Sequence, residues 1–312
     1  MELFIHIITH NIVPIFFLIG TGVLLGKIFK LDVGTLSKLS FYALMPFYAF
    51  TTIYTNNLSV NMGKTLLFAA LFLVLNMTIG YAAAAIRRMN SRKKHILVNT
   101  VILYNSGNIG IPLITLIFMN TAYLNQALVI QITIMLTQSF LGATVGFYNA
   151  GRSEMHWRDS ILYVLKMPAI YAIAAATLLK QVDIDLTLTF VWPAFIYLKQ
   201  AMIGLVLLTL GIQLSYTKIS SRDPDAFIAV ALRLAGGPIG AFLIIKLLGI
   251  SGLMGQVLLI SSAAPTAVMA ALIAIERNTE PEFASKTVTF TTIICSITLV
   301  FVVYFSRILF PI

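Results

Sequence analysis

Charge is scarce in this sequence and cysteine scarcer still. Only 10% of the residues are charged, against roughly 25% in an ordinary soluble domain, and 59% are hydrophobic. A water-soluble globular domain is thereby excluded. The net charge of +10 does not point to nucleic acid either, because the basic residues gather in short loops between apolar stretches and report topology. The single cysteine, Cys295, lies inside the last apolar stretch, so no intrachain disulfide forms and the thiol is read as packing. Acids are missing where they would matter most. All eleven carboxylates fall at ends or in loops, which leaves no mid-membrane proton relay. Asp183 and Asp185 are two apart in a loop and make no convincing metal pair, so neither a metal site nor a cofactor is expected. No acidic metal motif and no nucleophile–base pair lies within the spans, which argues against an enzyme. The opening MELFIHIITH lacks the basic region of a cleavable signal peptide and runs straight into apolar sequence, so that span is expected to stay.

What is present is a series of apolar stretches of about 20 residues, each long enough to cross a hydrocarbon core of roughly 30 Å as a helix. Lipid cannot hydrogen-bond backbone, so repeated spans of this kind imply a helix bundle. Ten are expected, at about 9–28, 33–54, 64–86, 95–118, 123–147, 161–179, 192–214, 224–248, 253–275 and 285–306. With the N-terminus outside, the five cytoplasmic loops hold thirteen basic residues, including Arg87, Arg88, Arg92, Lys93, Lys94, Arg152, Arg158, Lys218 and Arg222. The opposite side holds five: Lys64, Lys180, Lys199, Lys246 and Arg307. The positive-inside rule then puts both termini of a multi-pass inner-membrane protein outside the cytoplasm.

Ten spans divide into two fives, 1–150 and 151–312, and because five is odd the halves run in opposite directions. Proline recurs at matching places, Pro14 with Pro168 and Pro112 with Pro265. Lys38 matches Lys199, and the fourth and ninth spans end at Asn120 and Asn278. The expected fold is therefore an all-α inverted repeat. Small residues four apart, Gly22 and Gly26, Gly142 and Gly146, Gly236 and Gly240, allow close helix packing in lipid.

Two spans are interrupted. YNSGNIGIPL, at 104–113, places Asn105, Ser106, Gly107, Asn108, Gly110 and Pro112 in the middle of the fourth span. Proline has no amide hydrogen and clashes with the preceding turn, so the helix should stop and restart there, capped by Asn108 or a neighbour. SSAAPTAV places Ser261, Ser262, Pro265 and Thr266 at the matching point of the ninth. Broken helices at corresponding places of inverted halves mark a transport site, and the restarted halves would offer free N–H groups and positive dipole ends to an anion. The alternative is an ordinary proline kink satisfied by serine and asparagine. Gln131 and Gln138 share a face of the fifth span and would support the first break or bridge helices. Arg233 lies about nine residues into the eighth span, ~13 Å along its axis. It would neutralise an anion, or else snorkel or bond backbone carbonyls. Lys38 and Lys199 in first turns, and His10 and Asn11 at the opening of the first span, read as interfacial.

GNIGIPL, APTAV and the ten-span length resemble the auxin efflux carrier family over essentially the whole chain, in the manner of its short bacterial-type members. The resemblance implies a fold similar to bile acid sodium symporters and sodium/proton antiporters, with broken helices 4 and 9 crossing at mid-membrane. Helices 3–5 and 8–10 would move as a transport domain on a scaffold of helices 1, 2, 6 and 7, which also supplies a homodimer surface. It further implies substrate contact at Asn105, which matches the family's asparagine before the crossing proline. The asparagine that bacterial relatives carry after the ninth-span proline is absent, Met269 and Ala270 standing in that region. The expected function is secondary transport of a small organic anion, a dicarboxylate such as malate or malonate or an auxin-like acid, by an elevator-type mechanism. Transport would be driven by membrane potential, exchange or Na+. The contact residues would be Asn105, Ser106, Asn108, Gly110, Pro112, Ser262, Pro265 and Thr266. The competing expectation is a receptor or sensor that binds its ligand without moving it.

Overall fold

The computed structural model describes residues 2–56, 62–151, 165–182, 185–216 and 223–312. Their regular structure is helical throughout. The start of the span expected at 161–179, the loop bases Arg152, Arg158, Lys218 and Arg222, and the acids Glu154, Asp159 and Asp183 lie outside the described residues. In chain order the helices are α1 (Glu2–Phe29), α2 (33–54), α3 (Met62–Ile86), α4 (Ser91–Ile102), α5 (Gly110–Phe118) and α6 (Leu124–Gly151). There follow α7 (Pro168–Leu179), α8 (Trp192–Tyr216), α9 (Pro224–Leu247), α10 (Gly252–Ser262), α11 (Val268–Glu276) and α12 (Pro281–Leu309). Among the described residues six stretches are long and apolar enough to cross a membrane: α1, α3, Leu124–Gly146 of α6, α8, α9 and α12. The others are short, or divided where the sequence carries proline and glycine.

Local chemistry sets the ends. Asp32 starts α2 by accepting from the N–H groups of Gly34 at 3.3 Å and Thr35 at 2.8 Å, and the Asn90 side chain starts α4 by accepting from Lys93 N–H at 2.8 Å. These are N-caps supplying acceptors to otherwise orphaned donors. Asn120 (φ +63°) and Asn278 (φ +47°) sit just beyond α5 and α11 in the left-handed conformation that asparagine tolerates better than most residues. Inside α1, α2 and α9 one wide π turn each, Ile7–Ile12, Leu39–Leu44 and Leu232–Gly236, comes just before Pro14, Pro46 and Pro238. Widening the turn relieves the clash of the proline ring with the carbonyl behind it.

The first helix departs from expectation. It begins at Glu2 rather than near residue 9, and His10 and Asn11 lie in its π turn instead of opening it. Asn11 is buried, and its amide donates to Leu116 O of α5 at 2.9 Å. A side chain that satisfies one of the last carbonyls of a short helix has no reason to stay at the interface.

Packing falls into two groups. In the first, α1 lies along α8 and α2 against α7 and α8. Gly22 and Gly211 permit the α1–α8 approach, since a Cβ on either would strike the other helix's backbone at Leu208 or Ile19. In the second, α3, α4, α5, α6, α9, α10, α11 and α12 pack on one another around the breaks. Tyr48 of α2 links the groups, its hydroxyl 3.0 Å from Thr115 of α5. At one end of the second group, Asp223 and Asp225 at the start of α9 meet Lys93 (3.4 and 2.7 Å), and Asp225 also meets Arg87 (3.2 Å).

Candidate functional site

The chain between α4 and α5 is not helical. Leu103 turns to an extended conformation (φ −88°, ψ 99°), and the break runs to Ile109. Its geometry is held by Asn105. The Asn105 side-chain oxygen accepts from Asn108 N–H at 3.0 Å, and its backbone oxygen accepts from Gly110 N–H at 3.1 Å. Asn105, rather than Asn108, therefore organises the restart, and Asn108 is left exposed. Ile111 N–H is taken by Gly107 O at 3.1 Å and Pro112 has none to offer. The first donors of α5 are thus spent inside the break, which corrects the expectation of free N–H groups there: a seven-residue loop is long enough to fold back and cap the helix it precedes.

The chain between α10 and α11 is shorter and more enclosed. Ser261 through Thr266 are all buried. Ser262 Oγ donates to Leu259 O at 2.6 Å, and Thr266 Oγ1 donates to Thr100 O at 2.7 Å. Ser262 and Thr266 therefore spend their hydroxyls on backbone acceptors of α10 and α4. Thr291 of α12 supports Thr266 from the other side, accepting its N–H at 3.2 Å.

The two breaks are joined. Tyr104 and Thr266 form an isolated antiparallel bridge, made by Asn105 N–H to Pro265 O and Ala267 N–H to Leu103 O, both at 2.8 Å. Extended backbone freed by two interrupted helices is satisfied by pairing with itself, as buried polar groups must be. Pro265 takes part through its carbonyl, the one polar backbone group proline retains.

Arg233 bolts this crossing from below. It is fully buried in the π turn of α9. One terminal nitrogen donates to Val101 O at 2.7 Å and the other to Ser262 O. Its guanidinium lies 4.9 Å from the Tyr104 ring and 5.4 Å from that of Phe72. Val101 and Ser262 are in the last turns of α4 and α10, where carbonyls lack helical donors and the dipoles are negative. A planar, permanently charged fork suits two such acceptors and two aromatic faces. Gly237 makes room, since a Cβ there would lie 2.6 Å from the guanidinium.

From α6, Gln131 donates to Ser106 O at 2.6 Å, and Gln138 accepts from Ser106 Oγ at 2.9 Å. The expected shared face thus grips one residue of the first break at both its polar groups. Gly110 is required by this clamp, because any Cβ would run into the Gln131 amide nitrogen. Leu103 rests against Gly142 and Gly146 of α6. Behind the break lies a small cavity of about 10 Å3 bounded by Phe72, Asn76, Tyr104 and Gln138 among others, close to the least volume that holds one water. Asn76 is buried there with its amide oxygen unpartnered.

Asn105, Ser106, Gly110, Pro112, Ser262, Pro265 and Thr266 thus gather around one crossing, and Gln131, Gln138 and Arg233 touch it. Lys38 is exposed, and Lys199 is half-buried with its ammonium 5.7 Å from the Tyr48 ring. Sequence reasoning missed Asn76 and a buried chain in which Tyr81 OH donates to Asn149 Oδ1 (2.9 Å) and Asn149 Nδ2 to Asn99 Oδ1 (3.1 Å). The signal was available, in polar residues standing within otherwise apolar helices.

Apolar spans enclosing paired breaks of this kind define a class, the multi-pass membrane transporters. Comparison with known proteins agrees. The family described as "Membrane transport protein" matches residues 153–303. The chain is 24% identical over 287 residues, 89% of its own length and 92% of the relative's, to a protein of Methanothermobacter thermautotrophicus named "Uncharacterized transporter". Both likenesses are to membrane transport proteins, the class that the apolar helices and paired breaks define.

Proposed function

We propose that the chain is a secondary carrier of a small organic anion, of the mono- or dicarboxylate class, and that the first break presents the substrate face. The observation that carries this reading is the backbone-paired crossing of two broken helices with no acidic side chain in it. Irregular backbone at that depth is tolerated only where protein or a water-filled cavity covers it. A neutral site of side-chain amides, backed by the buried cation of Arg233, suits a carboxylate and not a cation. Asn105 and Asn108 supply the contacts, with Ser106 held behind them by Gln131 and Gln138; Gly110 and Pro112 shape the loop; Ser262, Pro265 and Thr266 form the backing. In this reading ten spans form two inverted five-helix halves, 1–150 and 151–312, with both termini outside. The matched positions of the breaks, and of Asn120 and Asn278 beyond them, support that symmetry. The packing of α1, α2, α7 and α8 chiefly on one another supports a scaffold against which the remaining helices shift, elevator-fashion, in a dimer. Membrane potential, exchange or Na+ would drive it.

The test is uptake of labelled malate, malonate and indole acetate into sealed proteoliposomes, with and without sodium and an imposed potential. Accumulation of one acid above protein-free vesicles is expected. Saturable binding without flux would favour a receptor built on the same fold.

A further inference from the structure

We propose that the groove between α2, α7 and the segment leading into α8 is a binding site for an anionic phospholipid, with one acyl chain in the groove and the phosphate against Lys180. The groove has a volume of about 450 Å3 and its lining includes Phe47, Phe50, Tyr171, Ala172, Leu179 and Phe195. That volume lies within the range of about 300–1,000 Å3 typical of small-ligand sites. Its walls are almost wholly apolar, and Tyr171 on its rim is exposed, so it opens on the outer surface of the apolar helices and away from the crossing.

One end of the groove is chemically distinct. Leu179 and Leu186 line it there. Beside Leu179 is Lys180, whose ammonium donates to Asn56 O. Leu186 N–H donates to Tyr54 OH at 3.1 Å, and the rings of Tyr54 and Trp192 lie 5.6 Å apart. Tyrosine, tryptophan and lysine together mark the headgroup level of a bilayer. The opposite end is bounded by Pro46 and Pro168, with no charge. An apolar slot that begins at headgroup level beside a cation has the polarity of one lipid molecule. Lys180 forms no ion pair among the described residues, and the proposal gives its ammonium a phosphate. A second copy of the chain would have to insert an apolar ridge ending in an acid, and a neutral lipid would bring the ammonium no net charge.

The chain has two tryptophans, so Trp157→Phe leaves Trp192 as a reporter at the groove's polar end. The variant is reconstituted with brominated phosphatidylglycerol or brominated phosphatidylcholine at equal mole fraction, and quenching of Trp192 fluorescence is measured. Phosphatidylglycerol is expected to quench at least about twofold more strongly. Lys180→Gln should erase that preference and Lys246→Gln should keep it, while Ala172→Phe, which fills the slot, should weaken quenching by both lipids. Native mass spectrometry of the unmodified protein should retain phosphatidylglycerol over phosphatidylcholine, with the preference lost in Lys180→Gln. Equal quenching by the two lipids, a preference that survives Lys180→Gln, or shielding from both lipids that grows with protein-to-lipid ratio as a second copy covers the groove would each overturn the proposal.

Discussion

The two breaks occupy corresponding places and pair with each other, yet they are built differently. Between α4 and α5 the break is seven residues long, gripped by two glutamines from α6, and ends with Asn108 exposed. Between α10 and α11 it is five residues long and almost entirely buried, with the Thr266 hydroxyl spent on α4 backbone and that of Ser262 beside it on α10 backbone. A shared architecture does not imply a shared role. The longer break has polar groups left over after satisfying its own backbone, and the shorter one has few. In a membrane, where every leftover polar group is expensive, the surplus belongs where a ligand or water compensates it. This difference is what supports the proposal of substrate contact at the first break and support at the second.

The comparison breaks most easily at the residue common to both. Arg233→Met removes two charge-assisted bonds, each worth about 1.5–3 kcal/mol, and orphans the Val101 and Ser262 carbonyls at once. Thermal unfolding of purified protein should show the largest loss of any single substitution described here, with Arg233→Lys recovering part of it. A loss under about 1 kcal/mol would mean that Arg233 does not hold the two helix ends.

Ala267→Pro comes next. Ala267 has φ −72° and ψ 145°, which proline adopts without strain, so the change deletes the N–H that reaches Leu103 O and little else. Leaving that buried carbonyl unpaired should cost about 1–3 kcal/mol. An unchanged unfolding midpoint would show that the bridge between the breaks is incidental.

Gly110→Ala sharpens the account of the longer break. The new methyl meets the Gln131 amide, an overpacking that typically costs about 1–3 kcal/mol. Because the clash is with one side chain, Gly110→Ala combined with Gln131→Ala should cost less than the sum of the two single changes, a coupling a double-mutant cycle measures. Additivity would place the cost of the methyl elsewhere.

The positions of the breaks were legible in the sequence, because proline, glycine and asparagine in an apolar run have few other physical explanations. The shared face of Gln131 and Gln138 was legible from helical periodicity. Which polar groups remain free was not. Sequence shows that Ser262 and Thr266 are polar; only the fold shows that α10 and α4 backbone consumes their hydroxyls. Asn105 and Asn108 are chemically identical, and the choice of Asn105 as organiser depends on which one faces the restarted helix. Arg233 was visible as a deep cation, but its partners are 132 and 29 residues away, beyond any local pattern. Asn11 read as interfacial because its partner at Leu116, 105 residues on, is equally remote.

The most direct test of the division between the breaks compares Asn105→Ala with Ser262→Ala in proteoliposomes, using whichever of malate, malonate and indole acetate the wild type accumulates and normalising to folded protein. Asn105→Ala is predicted to lower uptake at least about tenfold and Ser262→Ala to change it by less than about twofold. Unchanged uptake by Asn105→Ala, or equal losses in both variants, would contradict the assignment.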